Sequence, residues 1–142
     1  MMDADLLEEL EEAARGATGV HRLQDDEASK RVELLAQTYV RDGSHRWWWQ
    51  ALATEAQRLP YGDEDGLSKI MKLFEAESSA TLVITDDSAP PWPVFSGSLG
   101  QLISLLRNTR FCEYFLAASD GSWIVFDTHM NELVMAKRSA RQ

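Results

Sequence analysis

A chain of 142 residues with 44% hydrophobic and 26% charged residues is enough for one globular domain and too little for two independent cores. Its formal net charge of -9 argues against binding to a nucleic-acid backbone, which needs clustered Lys and Arg. The single cysteine excludes an intrachain disulfide, and no apolar run approaches the roughly 20 residues of a membrane helix.

The N-terminal sequence MMDADLLEELEE is acidic, whereas a secretory signal peptide begins with basic residues. We therefore expect one cytoplasmic domain over residues 1–142, which contacts neither membrane nor nucleic acid. Residues 1–78 should form a mainly helical layer. Apolar residues at helical spacing predict four helices there: one from Asp3 or Asp5 to Gly16, a second from Asp25 or Asp26 to Gly43, a third over residues 45–59, and a short one capped by Asp65.

Three consecutive tryptophans, Trp47, Trp48 and Trp49, lie in the third predicted helix. Consecutive helical side chains point about 100° apart, so the three cannot all face one core. We place Trp48 in the core and leave Trp47 or Trp49 as a contact for a partner or for a second copy of the chain.

Residues 79–142 are predicted to form a sheet with one helix. The β-branched run Thr81–Thr85 predicts a buried strand, and Ser96 or Ser98 can cap a helix that begins near Leu99. Three further strands are expected over residues 111–118, 122–128 and 132–136, with Asp120-Gly121 as a hairpin turn. The expected fold is α+β, with the N-terminal helices packed on one face of a small, mainly antiparallel sheet that ends in a three-stranded meander.

Acidic residues concentrate in two zones. Residues 1–30 hold nine acids and three bases, and residues 61–87 hold seven acids and two bases. Such zones are either solvated surface or a face that meets a basic partner. For the second possibility the contact residues would come from the two acidic loops and from a tryptophan fixed between prolines: Asp63, Glu64, Asp65, Asp86, Asp87 and Trp92. Trp92 could instead close the edge of the sheet.

A polar cluster follows the second strand of the meander. If this segment were extended, Asp127, His129 and Asn131 would share a face, and with Glu132 they could form a metal or acid–base site. The same residue types suit a tight turn without any chemistry. Cys112 has no neighbour in the sequence that would activate it, so an inert buried thiol is expected. No pattern predicts a catalytic residue, a bound metal or a cofactor.

The C-terminal third resembles a group of small bacterial cytosolic proteins of the immunity-like kind, often found beside secreted toxins. The resemblance lies in Trp92-Pro93-Val94-Phe95, in Glu113-Tyr114-Phe115, and in the stretch DGSWIVFDTHMN over residues 120–131. Related proteins often have two adjacent histidines in the final turn, where this chain has His129 followed by Met130. The resemblance implies an interaction protein and carries over no catalytic role.

Three hypotheses follow. The first is an immunity-type protein that binds and neutralises a basic toxin domain through an acidic surface, because complementary charge speeds association. The second is a small enzyme or metal-binding protein that uses Asp127, His129 and Glu132. The third is an oligomeric adaptor that associates through its tryptophan-rich segment.

Overall fold

A computed structural model describes residues 4–41, 48–85, 91–110 and 112–138 of the protein. The helices are α1 (Ala4–Arg15), α2 (Asp25–Tyr39), α3 (Gly66–Leu73) and α4 (Leu99–Arg107), and one 3₁₀ turn spans Trp48–Gln50. The strands are β1 (His21–Arg22), β2 (Ala56–Pro60), β3 (Ser79–Ile84), β4 (Val94–Ser98), β5 (Tyr114–Ala118), β6 (Trp123–Asp127) and β7 (Glu132–Lys137).

All seven strands belong to one sheet in the order β1-β4-β3-β5-β6-β7-β2, and every neighbouring pair is antiparallel. The α+β prediction is therefore confirmed. Strands β5, β6 and β7 are adjacent and form the predicted meander. Gly121, in the turn between β5 and β6, has a φ of 77°, which glycine adopts without steric cost.

Helices cover both faces of the sheet, so the expectation of a layer on one face only is wrong. Successive strand side chains point to opposite faces, and here both sets are apolar. In β5, Tyr114 and Leu116 pack with α1, α3 and α4, whereas Phe115 and Ala117 pack with α2 and the 3₁₀ turn. We call the first group of helices the three-helix layer and the second the α2 layer.

The helix predicted over residues 45–59 is also wrong where the structure describes it. After the 3₁₀ turn the chain forms β2, which pairs with β7 from Ala56 opposite Ala136 to Pro60 opposite Glu132. Pro60 has no N–H group, and it is tolerated because β2 lies at the edge of the sheet. Helical spacing of apolar residues thus yields here to pairing with a strand more than seventy positions later.

Strands β1 and β4 were not predicted. Strand β4 ends at Ser98, directly before α4, and β1 adds two residues at the sheet edge opposite β2. Ser98 caps α4 as expected, because its side chain accepts a hydrogen bond from the Gln101 N–H. Of the helices in the described part of the chain, none has the length and apolar character needed to cross a membrane.

Candidate functional site

A cavity of about 360 Å³ opens in the three-helix layer, beside the C-terminal end of β6. It lies between the start of α3, the end of α4 and the sheet. Its polar lining comes from four separate parts of the chain: Tyr61 and Asp65, Arg107 and Arg110, Tyr114, and Asp127 with His129. Polar groups that converge on one mostly apolar cavity are the usual mark of a binding site.

Among the described residues, Asp127 is the one charged residue that is buried, with 8% of its surface exposed. Alternation along β6 puts Ile124 and Phe126 in the core of the α2 layer, so Val125 and Asp127 face the three-helix layer. The strand therefore brings a carboxylate to a position where an apolar residue would be expected. Such a position is costly for an ionised group unless partners compensate it.

The neighbours of the Asp127 carboxylate are two neutral hydrogen-bond donors and one imidazole ring. The Tyr114 hydroxyl donates to Oδ2 at 3.0 Å, and the backbone N–H of His129 donates to Oδ1 at 2.9 Å. The His129 Nδ1 lies 3.5 Å from Oδ1. No Lys or Arg within the described ranges pairs with this carboxylate. Burial raises the pKa of Asp127, against the opposing effects of the His129 ring and of its N–H.

The turn after β6 holds His129 against the site. His129 and Asn131 have φ values of 59° and 63°, in the left-handed region that residues other than glycine seldom occupy. Thr128 ties the turn together, because its hydroxyl donates to the Glu132 carbonyl at 2.7 Å and accepts from the Met130 N–H at 3.2 Å. The His129 ring then lies edge-on to Tyr114, with centroids 5.8 Å apart. His and Asn are among the residues other than glycine that adopt this region most often, so the turn can position the His129 ring without a functional explanation.

The start of α3 closes one side of the cavity. Asp65 caps the helix by accepting from the Ser68 N–H at 2.7 Å, and Gly66 then packs directly on Asp127. A Cβ at Gly66 would come within 2.9 Å of the Asp127 Cγ and closer still to Oδ2, so only glycine fits. Tyr61 lies on the same side, and its buried hydroxyl has no hydrogen-bond partner among the described residues. An unsatisfied buried hydroxyl next to a cavity indicates room for a ligand or a water.

Two arginines stand at the rim of the cavity, each beside a carboxylate. Arg107 donates to Asp65 at 3.4 Å and to the Ser68 hydroxyl at 2.9 Å. Arg110 has its Nε 3.6 Å from Glu9, which also accepts from the Arg110 N–H at 2.7 Å. The rim therefore carries both charges in equal number, while the floor carries the Asp127 carboxylate.

Two of the three carboxylates in the acidic loop of residues 63–65 make contacts within the protein. Glu64 forms an ion pair with Lys72, and Asp65 is occupied by the helix cap and by Arg107. Asp63 is exposed. The predicted contact residues Asp86 and Asp87 lie outside the described residues.

Trp92 does not offer its ring to solvent. It is 5% exposed and packs against Trp48 at 5.5 Å and Phe115 at 6.3 Å between ring centroids, inside the core of the α2 layer. The prolines thus position a core side chain, and the prediction that Trp92 presents an exposed contact does not fit this packing. Trp48 is buried as predicted, Trp49 is half-buried, and Trp47 falls outside the described residues.

The structure brings together two of the three residues suggested for chemistry. Asp127 and His129 meet in the cavity, whereas the Glu132 carboxylate accepts from Arg58 at 2.7 Å on the edge strand. Within the described ranges, no group of three or more His, Cys, Asp or Glu side chains could hold a metal ion. Sequence reasoning missed Tyr61, Gly66 and Tyr114 as parts of the site, because no spacing links them to Asp127.

Comparison with protein-family models, curated proteins and solved structures finds no match to this chain.

Replacing Asp127 with asparagine should stabilise the protein at neutral pH by about 1 kcal/mol. Asparagine keeps both contacts, since its oxygen can accept from the His129 N–H and its amide can donate to the Tyr114 hydroxyl. Because the pKa of Asp127 is raised in the folded state, its ionisation costs stability as the pH rises above the ordinary value of 3.8. The advantage of the Asp127→Asn variant should therefore grow as the pH rises from 3.8 to the raised pKa of Asp127 in the folded state, and then stay constant. Urea unfolding at a series of pH values measures it.

The control is Asp65→Asn. The Ser68 N–H lowers the pKa of Asp65, so its ionised form adds stability above the ordinary pKa, and that stability is lost as the pH falls. The deficit of Asp65→Asn should then shrink toward acid pH, the opposite trend. A destabilised Asp127→Asn protein at neutral pH would contradict the cost assigned to the buried carboxylate.

Proposed function

We propose that the chain is a protein-interaction module of the immunity type, which binds and neutralises a basic toxin domain through its three-helix layer. The observation that carries the proposal is the uneven distribution of charge between the two layers. Residues 4–15, 61–78 and 99–110, which form the three-helix layer with its flanking turns, contain ten acids and five bases. Residues 25–41, which contain α2, hold four acids and three bases.

A surplus of five negative charges on one layer creates a directed field. Such a field steers a cationic partner toward that layer and raises the rate of association. The exposed carboxylates of the layer lie on α1 and around α3: Asp5, Glu8, Glu12, Asp63, Asp65, Glu75 and Glu77. In this proposal Asp63 remains a contact residue, Glu64 and Asp65 contribute less because they hold internal ion pairs, and Trp92 supports the core.

The test is a binding measurement between the full chain and basic toxin domains encoded by neighbouring genes. Reversing charge on the three-helix layer with Glu8→Lys, Glu12→Lys and Glu77→Lys should slow association about tenfold or more at low salt. The matched control reverses three carboxylates of α2 with Asp26→Lys, Glu27→Lys and Glu33→Lys, and should slow association much less. Failure of every such domain to bind at low salt, or equal effects of the two triple variants, would overturn the proposal.

A second candidate function, acid–base catalysis, is favoured by the contact between Asp127 and His129. A carboxylate 3.5 Å from Nδ1 can orient the ring, and the Cys112 thiol lines the same cavity. The rate at which Cys112 reacts with iodoacetamide tests the version with a cysteine nucleophile. A rate at neutral pH well above that of an ordinary thiol, lost in His129→Ala, would support it, and a rate typical of an inert buried thiol would contradict it.

A further inference from the structure

We infer that the cavity at Asp127 accepts the guanidinium group of an arginine side chain supplied by the partner. This inference rests on the proposed interaction function and names the group that the partner would insert. It follows from three features of the cavity, which are its floor, its walls and its rim.

The floor is a carboxylate that lacks a strong cationic partner. Each oxygen of Asp127 accepts one hydrogen bond, Oδ1 from the His129 N–H and Oδ2 from the Tyr114 hydroxyl, and the His129 Nδ1 lies 3.5 Å from Oδ1. Two carboxylate oxygens offer about four acceptor positions, so each keeps capacity for a further donor. A guanidinium group presents parallel N–H donors that match the two oxygens of a carboxylate. A cation at the floor would offset the desolvation cost of this buried charge.

The walls are aromatic. Tyr61, Tyr114 and His129 line the cavity, and a planar guanidinium stacks on such rings better than a compact, strongly hydrated ammonium group. The buried Tyr61 hydroxyl, which has no partner among the described residues, supplies a further acceptor. These features favour arginine over lysine.

The rim admits a side chain and does not repel a cation strongly. Arg107 and Arg110 each lie beside a carboxylate, Asp65 and Glu9 respectively, which offsets their charge. Leu67 and Leu106 provide apolar surface for the methylene stem of an arginine. The volume of about 360 Å³ lies at the lower end of the range for ligand cavities, which suits one side chain.

The experiment titrates the full, ¹⁵N-labelled chain with acetyl-arginine amide and follows its amide signals. We expect saturable shifts at Gly66 and His129 at millimolar probe, binding of acetyl-lysine amide about tenfold weaker, and none by the neutral isostere acetyl-citrulline amide. Asp127→Asn should abolish binding and Tyr61→Phe should weaken it severalfold. Glu33→Gln removes the same charge from the α2 layer and should leave binding unchanged.

Absence of saturable shifts at these residues, or equal binding of arginine and citrulline amides, would overturn the inference. Tighter binding of a nucleoside monophosphate would also overturn it, because the cavity would then prefer a ligand with an anion at the rim. The proposed function is judged separately by the basic partner itself. If the partner binds equally well to the parent chain and to Asp127→Asn, the inference fails while the proposed function stands. If the arginine probe binds but no basic partner does, the proposed function fails.

Discussion

Replacing Phe115 with alanine should lower the free energy of unfolding by about 3–5 kcal/mol. Phe115 is 2% exposed at the centre of the core of the α2 layer. Its ring centroid lies 5.1 Å from that of Trp48, on which it stacks, 5.2 Å from that of Phe126, and 6.3 Å from that of Trp92, to which the ring is nearly perpendicular. Truncation therefore removes contacts to three aromatic rings and leaves a cavity that the sheet backbone cannot collapse to fill. Urea unfolding followed by far-ultraviolet circular dichroism measures the loss.

The matched control is Phe74→Ala, the same truncation on the other side of the sheet. Phe74 stacks on Trp123 with centroids 4.0 Å apart, but both rings are half-buried. Solvent already reaches this pair, so the loss should be less than half of that for Phe115→Ala. Similar losses for the two variants would contradict the larger contribution assigned here to the buried aromatic cluster around Phe115.

Local patterns were sufficient for the elements whose contacts are close in sequence. The Asp120-Gly121 turn, with β5 and β6 on either side, follows from turn chemistry together with β-branched and aromatic runs. The helix starts at Asp65 and Ser98 follow from side chains that accept from the N–H three residues later. In each case the interaction that determines the element joins residues a few positions apart, so the local sequence is enough to predict it.

The segment of residues 48–60 shows why other elements could not be predicted. Trp48, Leu52 and Leu59 have helical spacing, but Trp48 and Leu52 pack in the α2 layer and Leu59 packs on the three-helix layer. Between them the chain enters the sheet as its edge strand β2, whose alternate side chains face opposite layers. Strand β2 is fixed by its pairing with β7, and no local sequence feature predicts a pairing between segments so far apart in the chain.

The covering of both sheet faces was hidden for a related reason. Strands β3 and β5 are buried along nearly their whole length, so their sequences lack the alternation of apolar and polar residues that marks a face toward solvent. Continuous burial indicates that something covers each face. It does not indicate that α2 covers one face and α1, α3 and α4 the other.

The sequence predicts only part of the candidate site. Asp127 and His129 are two positions apart at the end of a predicted strand, and their contact follows from that closeness. Tyr114 reaches Asp127 only because β5 and β6 are neighbours, and Gly66 reaches it only because α3 packs over this part of the sheet. The burial of Asp127, on which the proposed chemistry depends, is a property of that packing.

Replacing Gly66 with alanine should lower the free energy of unfolding by about 2–3 kcal/mol and disturb the position of Asp127. The added Cβ would lie 2.9 Å from the Asp127 Cγ, closer to Oδ2, and 3.2 Å from the Tyr61 Cζ. Asp127 cannot move aside freely, because Tyr114 and the His129 N–H hold its two oxygens. The change should also weaken any ligand that binds at Asp127, since the carboxylate and Tyr61 both form the cavity. Urea unfolding and the arginine titration measure the two effects.

Gly16→Ala provides the control, because a Cβ there would meet only the Ala13 carbonyl at 3.6 Å, and its effect should stay within about 0.5 kcal/mol. A double-mutant cycle then assigns the cause of the loss at Gly66. Asp127→Ala removes the atoms with which the new Cβ collides, so Gly66→Ala should cost much less in that background than in the parent chain. An equal cost in the two backgrounds would place the strain at Tyr61 or in the start of α3, and the close packing of Gly66 on Asp127 would no longer account for it.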